Sequence, residues 1–434
     1  MSATRKKLLI TLTLFLFGFG TFSVQIHADT RNALSPSYTD IQTAVLAASS
    51  GDTVIVPAGS ARWHRQLTIT KAIKLQGAGI GSTIITSGIN DRYNTYMIAY
   101  QPTSEESSKI FEITGFTFDG NYTSGIFSAS RPSDTIPITG LRIHDNKFLN
   151  GRSRAINLSG LEFGVFFKNQ FQDNYIAISI IGCEGAGWAY PLTLGGVDYP
   201  FFEDNTFTQT VARGGFISET GRGGRIVFRH NTILNYGGSG GEVWDAHGVN
   251  GTYPNDNGTV SSEIYNNNVG LSASSRLFNH RGGKAIVFNN TVTGSPAYLH
   301  MTEYQGWSYC TEQGYPKYQQ INDSFYFNNI VGGSPKDPSL QCTSGTCTSC
   351  NQYDSTYIQL GRDYWLPTSG LDTNKPKSCS DNTYYGATDT GKIYRCHPAD
   401  TWTPIYTPYK YPHPLVAGTS DSISPPGNLR ISSQ

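Results

Sequence analysis

Between Arg276 and Lys284 the chain reads Arg276-Leu-Phe-Asn-His280-Arg281-Gly-Gly-Lys284, four basic or imidazole groups in nine residues. Guanidinium forks hold carboxylates by paired, charge-assisted hydrogen bonds. Such a segment suits an anionic ligand. Upstream lie two carboxylates that could complete a site, Glu219 and Asp245, the latter in Trp244-Asp245-Ala-His247-Gly248. Hard oxygen donors are what calcium needs, so Glu219 and Asp245 could share a calcium ion. His247 titrates near neutrality and is a candidate proton carrier. Arg222, His280, His300, Tyr304 and Trp307 are candidates for holding substrate. The plainer alternative is a salt bridge between Asp245 and Arg281 with no chemistry attached.

Whether these residues meet depends on the elements that carry them, and those elements repeat. A short phrase of alternating apolar residues, then Asn, one residue, and another apolar residue recurs along the chain. Its asparagines are Asn146, Asn169, Asn205, Asn231, Asn267, Asn290 and Asn329, spaced by 23, 36, 26, 36, 23 and 39 residues. Self-similarity with such a period marks a solenoid, and the period-2 alternation marks strands. Coils of a little over 20 residues built from strands predict a parallel β-helix, in which no coil is stable alone. The asparagines read as scaffold: Asn tolerates the left-handed backbone region, and its amide can bond the coils above and below.

Register then turns sequence distance into proximity. Fourteen residues beyond successive asparagines stand Cys183, Glu219, Asp245, Arg281 and Tyr304. In-register coils would make them one ladder at the strand spacing of about 4.8 Å. The longer spacings mark excursions after about Cys183, Gly248 and His300. These carry Trp188, Tyr190, Tyr199, Tyr253, Trp307, Tyr309 and Tyr315. As a set, their rings could flank the ladder and form a groove for sugar faces.

The 434 residues carry 32 basic and 32 acidic side chains, which leaves no net charge and argues against a nucleic-acid partner. Aromatic residues make up 12%, enough to fill a core. Residues 1–28 read as a secretory signal, with Arg5-Lys6-Lys7 before an apolar run and a small-residue end at Ala28. The run is short for a membrane span, so a secreted or periplasmic chain with no span after cleavage is expected. Residues 29–335 read as the β-helix and 336–434 as a loop-rich C-terminal segment packed on it. Cys310, Cys342, Cys347, Cys350, Cys379 and Cys396 allow up to three disulfides, while Cys183 reads as a buried free thiol. The spacing Tyr38–Ser49 predicts a short amphipathic helix, capped by Thr39 or Asp40.

After this helix come Gly51-Asp-Thr-Val-Ile-Val-Pro-Ala-Gly59 and Ile73-Lys-Leu-Gln-Gly-Ala-Gly79. This run resembles the N-terminal cap and first coils of the pectin-lyase-like right-handed parallel β-helices. Locally, Arg276–Asn290 resembles the pectate lyase pattern R-x-P-R-x-R-x-G-x-x-x-V-x-N-N. Arg276, Arg281, Gly283, Val287, Asn289 and Asn290 match in spacing, while Phe278 and Asn279 replace the proline and the middle arginine. The family's tryptophan-isoleucine-aspartate-histidine motif would fall on Val227-Phe228-Arg229-His230, with arginine in place of a calcium-liganding aspartate. The resemblance implies an all-β solenoid with Arg276 as the proton-abstracting base and Arg281 supporting substrate.

The implied chemistry is β-elimination on an acidic, uronate-containing polysaccharide by a monomeric lyase. A cation neutralises the uronate carboxylate and stabilises the enolate-like transition state while a base removes the C5 proton. Arginine is an awkward base, given its reference pKa, and His247 is chemically easier. Two rivals stand beside this reading. One is a glycoside hydrolase using Glu219 and Asp245. The other is a non-catalytic glycan-binding or surface protein on the same scaffold.

Overall fold

The computed structural model describes residues 28–91, 94–211, 215–237, 242–248, 257–301, 320–340 and 358–418. The expected secretory signal lies outside this set, apart from Ala28. So do Cys310, Cys342, Cys347, Cys350, Tyr304 and Trp307.

Successive strands visit three parallel sheets in turn, and each strand pairs with its counterpart one coil away. Among the described residues the first sheet has 12 strands, the second 11 and the third 10. This is a parallel β-helix, wound in the right-handed sense that parallel crossover connections take. The inward row of the first sheet runs Ile143, Phe166, Phe202, Phe228, Ile264, Val287 and Tyr326. That of the second includes Phe118, Phe148, Phe171 and Phe207. Phe148 and Phe171 stack at 5.0 Å, and Phe171 and Phe207 at 4.7 Å. Each buried ring contributes about 2 kcal/mol through the apolar surface it hides. Because the contacts run between coils, a coil's core exists only when its neighbours are present.

The asparagines form a buried ladder at the corner between the first and second sheets. Asn205 is typical. Its Nδ2 donates to Phe166 O at 2.9 Å and to Asn231 Oδ1 at 3.0 Å, and its Oδ1 accepts from Asn169 N at 3.0 Å. The left-handed position is not the asparagine itself but the residue before it: Lys168, Asp204, His230, Asn266 and Asn289 have φ between 52° and 57°. The ladder asparagine supplies the bonds, and its predecessor supplies the turn.

The N-terminal end is closed by the helix Tyr38–Ala47, which buries Ile41, Ala44 and Val45. Ser37, not Thr39 or Asp40, caps it by accepting from Asp40 N. Near the other end, the chain forms a four-stranded sheet, Thr368–Gly370, Tyr384–Ala387, Ile393–Cys396 and Trp402–Tyr406. Cys379 and Cys396 form a disulfide within this segment.

From there the chain runs back along the outer face of the first sheet. Ile393, Tyr406 and Leu415 pack over Val165, Phe201, Val227, Ile286 and Phe325. Arg229, fully buried, pairs with Glu203 at 2.7 Å and donates to the carbonyls of Tyr409 (2.6 Å) and Lys410 (2.8 Å). The residue standing where the resembled family has a calcium-binding aspartate therefore holds this C-terminal strap in place.

Candidate functional site on the third sheet

The third sheet has no such cover among the described residues, and its outward rows carry the candidate chemistry. Strand pairing aligns Ser179, Glu219, Asp245, Asn279, His300 and Ser339 in one row. Glu219 and Asp245 are thus adjacent, as the count of fourteen predicts. Cys183 and Arg281 are not in the row. Cys183 lies four residues past Ser179, at the start of the short helix Glu184–Ala189, where it is a buried free thiol. Its Sγ donates to Gly223 O at 3.1 Å, and burial pushes the thiol up to about 12. Arg281 lies two residues past Asn279 and reaches back a coil to pair with Asp245 Oδ2.

His247 joins the two carboxylates. Its Nε2 is 2.9 Å from Asp245 Oδ2 and 3.7 Å from Glu219 Oε2. Arg281 Nη2 lies 3.2 Å from its Nδ1. Burial disfavours the imidazolium, but the Asp245 charge together with hydrogen bonding to Asp245 and Glu219 outweighs it and lifts His247 to about 9. Glu219 is also buried, yet His247 and Arg154 hold it below the usual carboxylate range. Arg154 Nε lies 3.1 Å from Glu219 Oε1, and Ser179 Oγ donates to the same oxygen at 2.7 Å. Burial likewise penalises Asp245, whereas Arg281 and His247 pull its carboxyl down.

A second pair sits beside the first. Glu242 aligns with Arg276 one coil on, and Arg276 Nη1 donates to Glu242 Oε1. Asn279 Nδ2 donates to the same oxygen at 3.1 Å. Burial, reinforced by the Asp245 charge, raises the Glu242 carboxyl. Arg154, Ser179, Glu242 and Asn279 complete the strip and are not evident from sequence alone. Pairing register places Ser179, Glu242 and Asn279 there, and Arg154, which precedes its strand, reaches the strip by its contacts with Ser179 and Glu219.

The strip has a definite layering. Side-chain exposure is 35% for Arg276, 29% for Arg154, 20% for His247 and 11% for Arg281, against 6% for Glu219, 7% for Glu242 and 0% for Asp245. Cations face outward over buried carboxylates. The surface offered to a ligand is therefore cationic, although the strip holds both signs.

Other expected site residues lie elsewhere. His280 is in the inward row with Ala246 and Met301, fully buried. Its Nδ1 meets Tyr326 Oη at 2.7 Å, and burial lowers it to about 4. It is a core histidine, because strand parity turns it away from Asn279 and Arg281. Arg222 turns to Glu184 and ties down the short helix. The backbone of His300 occupies the row after Asn279. The rings of the first excursion also serve packing. Trp188 Nε1 donates to Gly258 O at 2.9 Å, Tyr190 packs edge-on against Phe163, and Tyr199 is buried against Ser261.

Calcium does not fit Glu219 and Asp245 in this arrangement. The ion takes six to eight oxygens, whereas these carboxylates already serve Arg154, Ser179, His247 and Arg281. Among the described residues no group of three or more His, Cys, Asp or Glu side chains could hold a metal ion.

No family model matches the chain, and no curated protein matches it. Among solved structures it is similar to ORF18 of Geobacillus virus E2, at 12% identity and a TM-score of 0.30, over 87% of this chain and 86% of that one. It is also similar to the A-module of the mannuronan C-5 epimerase AlgE4 of Azotobacter vinelandii, at 16% identity and a TM-score of 0.31, over 69% of this chain and 85% of that module. At these values the architecture stands on the chain's own strand pairing, and the site on its own geometry.

Proposed function

We propose that the chain acts on an anionic, uronate-type polysaccharide at the third-sheet strip and cleaves it by β-elimination. The observation that carries this reading is the layering of partly accessible Arg276, Arg154, His247 and Arg281 over buried carboxylates. A sugar carboxylate meets cations whose geometry is already fixed from beneath. Fixed cations stabilise charge developing on that carboxylate as the C5 proton leaves, without reorganisation.

Held at about 9, His247 carries its proton at neutral pH. It therefore suits donation to the leaving glycosidic oxygen, rather than the base role expected from sequence. Arg281, beside it, neutralises the carboxylate, and Arg276 faces the C5 proton. Hydrolysis by Glu219 and Asp245 is a poorer fit. Both are held in the ionised form, so neither supplies the protonated acid that mechanism requires. A polymer of this class also fits export of the chain.

The test is growth of ultraviolet absorbance on a panel of uronate polymers, with and without chelator. Wild type is expected to produce unsaturated ends at a rate the chelator leaves unchanged. Arg281→Ala is expected to be about 100-fold slower. New reducing ends without absorbance would move the reading to hydrolysis, with Glu242 as the acid. Retention of polymer with neither product would make the strip a binding surface.

A further inference from the structure

We propose that Glu242 is the proton sink of the elimination, drawing a proton out of Arg276 as Arg276 takes one from the substrate. The assignment rests on the β-elimination reading and adds to it a residue that neither the repeat nor the resembled motif singles out.

The difficulty it resolves is chemical. A guanidinium has no lone pair to offer, and its reference pKa is above 12. Arg276 can abstract a proton only if it loses one at the same moment. Its Nη1–H already points at Glu242 Oε1. The transfer then balances. The C5–H bond breaks and its proton goes to Nη1 of Arg276, the nitrogen whose electron pair is released as its own proton leaves. The Nη1 proton passes to Glu242 Oε1. The C5 electron pair forms the C4–C5 double bond, and the glycosidic oxygen departs with the proton of His247. Arg276 ends as it began, a guanidinium, and Glu242 ends as a carboxylic acid.

Three structural features make Glu242 the receiver. Its side chain is 7% exposed and lies beneath the 35% exposed Arg276, so substrate meets the guanidinium first and the carboxylate only through it. Its Oε2 is buried on the side of Asp245, whose carboxylate is within hydrogen-bonding reach, so a proton taken up by Glu242 is shared with a neighbouring anion. The groups around it leave it less neutralised than its neighbour. Phe216 is its partner on the preceding coil and Arg276 on the next, from which Asn279 also donates. Asp245 follows on its own strand and adds negative charge, while Arg281 and Arg276 add positive charge. Asp245 is in direct contact with two cations, His247 and Arg281, and stays ionised. Of two buried carboxylates, the one less compensated by cations and closer to a like charge takes up a proton at the lower cost. A raised carboxyl at Glu242 is consistent with this. Glu242 is thus a positioning and relay residue that acts through Arg276.

The experiment compares wild type, Glu242→Gln and Glu242→Asp on the polymer giving the strongest absorbance signal, across pH. Thermal unfolding of each variant controls for folding. Glu242→Gln is expected to lower kcat about 100-fold or more, with KM changed less than about threefold. The wild-type profile should rise with pH as Glu242 ionises and fall as His247 loses its proton. In Glu242→Gln the acid limb should vanish from the residual activity, and in Glu242→Asp it should persist. A folded Glu242→Gln protein that keeps the wild-type acid limb, or the wild-type kcat, overturns the assignment and leaves β-elimination standing. Absence of unsaturated product from wild type on every polymer overturns β-elimination and the relay with it.

Discussion

His247→Gln should remove a specific block of pH-dependent stability. The imidazole is lifted from its ordinary 6.5 to about 9 in the folded chain. Each tenfold gain in proton affinity is about 1.36 kcal/mol, so the rise from 6.5 to about 9 gives roughly 3 kcal/mol of linkage. The folded form binds the proton more tightly than the unfolded chain does. The contribution is therefore complete below pH 6.5 and is lost as pH rises through about 9. The measurement is urea denaturation of both proteins at intervals from pH 6 to pH 10, read as the difference between them, so that titrations common to both cancel. Wild type should lead by the largest margin at pH 6, and the margin should shrink by about 3 kcal/mol by the top of the range. A margin constant with pH would show that the Asp245–His247 contact does not hold a proton, and the donor role of His247 would fall with it.

Two further outcomes follow from the scaffold. Asn205→Ala removes the partners of Asn169 N and Phe166 O in the corner ladder. It should cost about 2–5 kcal/mol in unfolding free energy, and loss of less than about 1 kcal/mol would show that the ladder is not structural. Arg229→Ala leaves Glu203 buried without its cation and frees the strap carbonyls, at a cost of about 3–5 kcal/mol. Limited proteolysis should then cut within residues 404–418 well before the solenoid, and an unchanged digestion pattern would count against the clamp.

The parts of this molecule legible in sequence are those repeated in it. One buried asparagine per coil requires one amide ladder, so the phrase announces both the solenoid and its inward rows. The site was legible only where coil length stayed constant. From Asn205 to Glu219 and from Asn231 to Asp245 the count is 14 residues. From Asn267 to the aligned Asn279 it is 12, and from Asn169 to Ser179 it is 10. Connections between the second and third sheets vary in length without disturbing the core, so a fixed count drifts off register. That drift put Cys183 and Arg281 into the ladder. His280 failed for a finer reason: beside a cationic run it reads as part of the site, but one residue of strand parity sends it into the core. Arg154 and Glu242 carry no local signal, since only pairing across coils shows where Glu242 stands and only folded contacts bring Arg154 to Glu219.

The strap has a consequence for how this protein can change over time. A bare solenoid gains or loses a coil cheaply, because each coil contacts only its neighbours. Here Arg142 is tied to Leu415 at 2.7 Å, Glu203 to His413 at 2.9 Å, Arg229 to Tyr409 at 2.6 Å and Glu263 to Tyr406 at 2.7 Å. The returning chain acts as a ruler laid against the coils. Inserting or deleting a coil between Arg142 and Glu263 would shift every later anchor by about 4.8 Å. The strap would then meet the wrong carbonyls and leave buried charges unpaired. Duplication and loss are therefore confined to the coils outside the ruler, and the coils that bear Arg154, Glu219, Asp245 and His247 are locked at their present number.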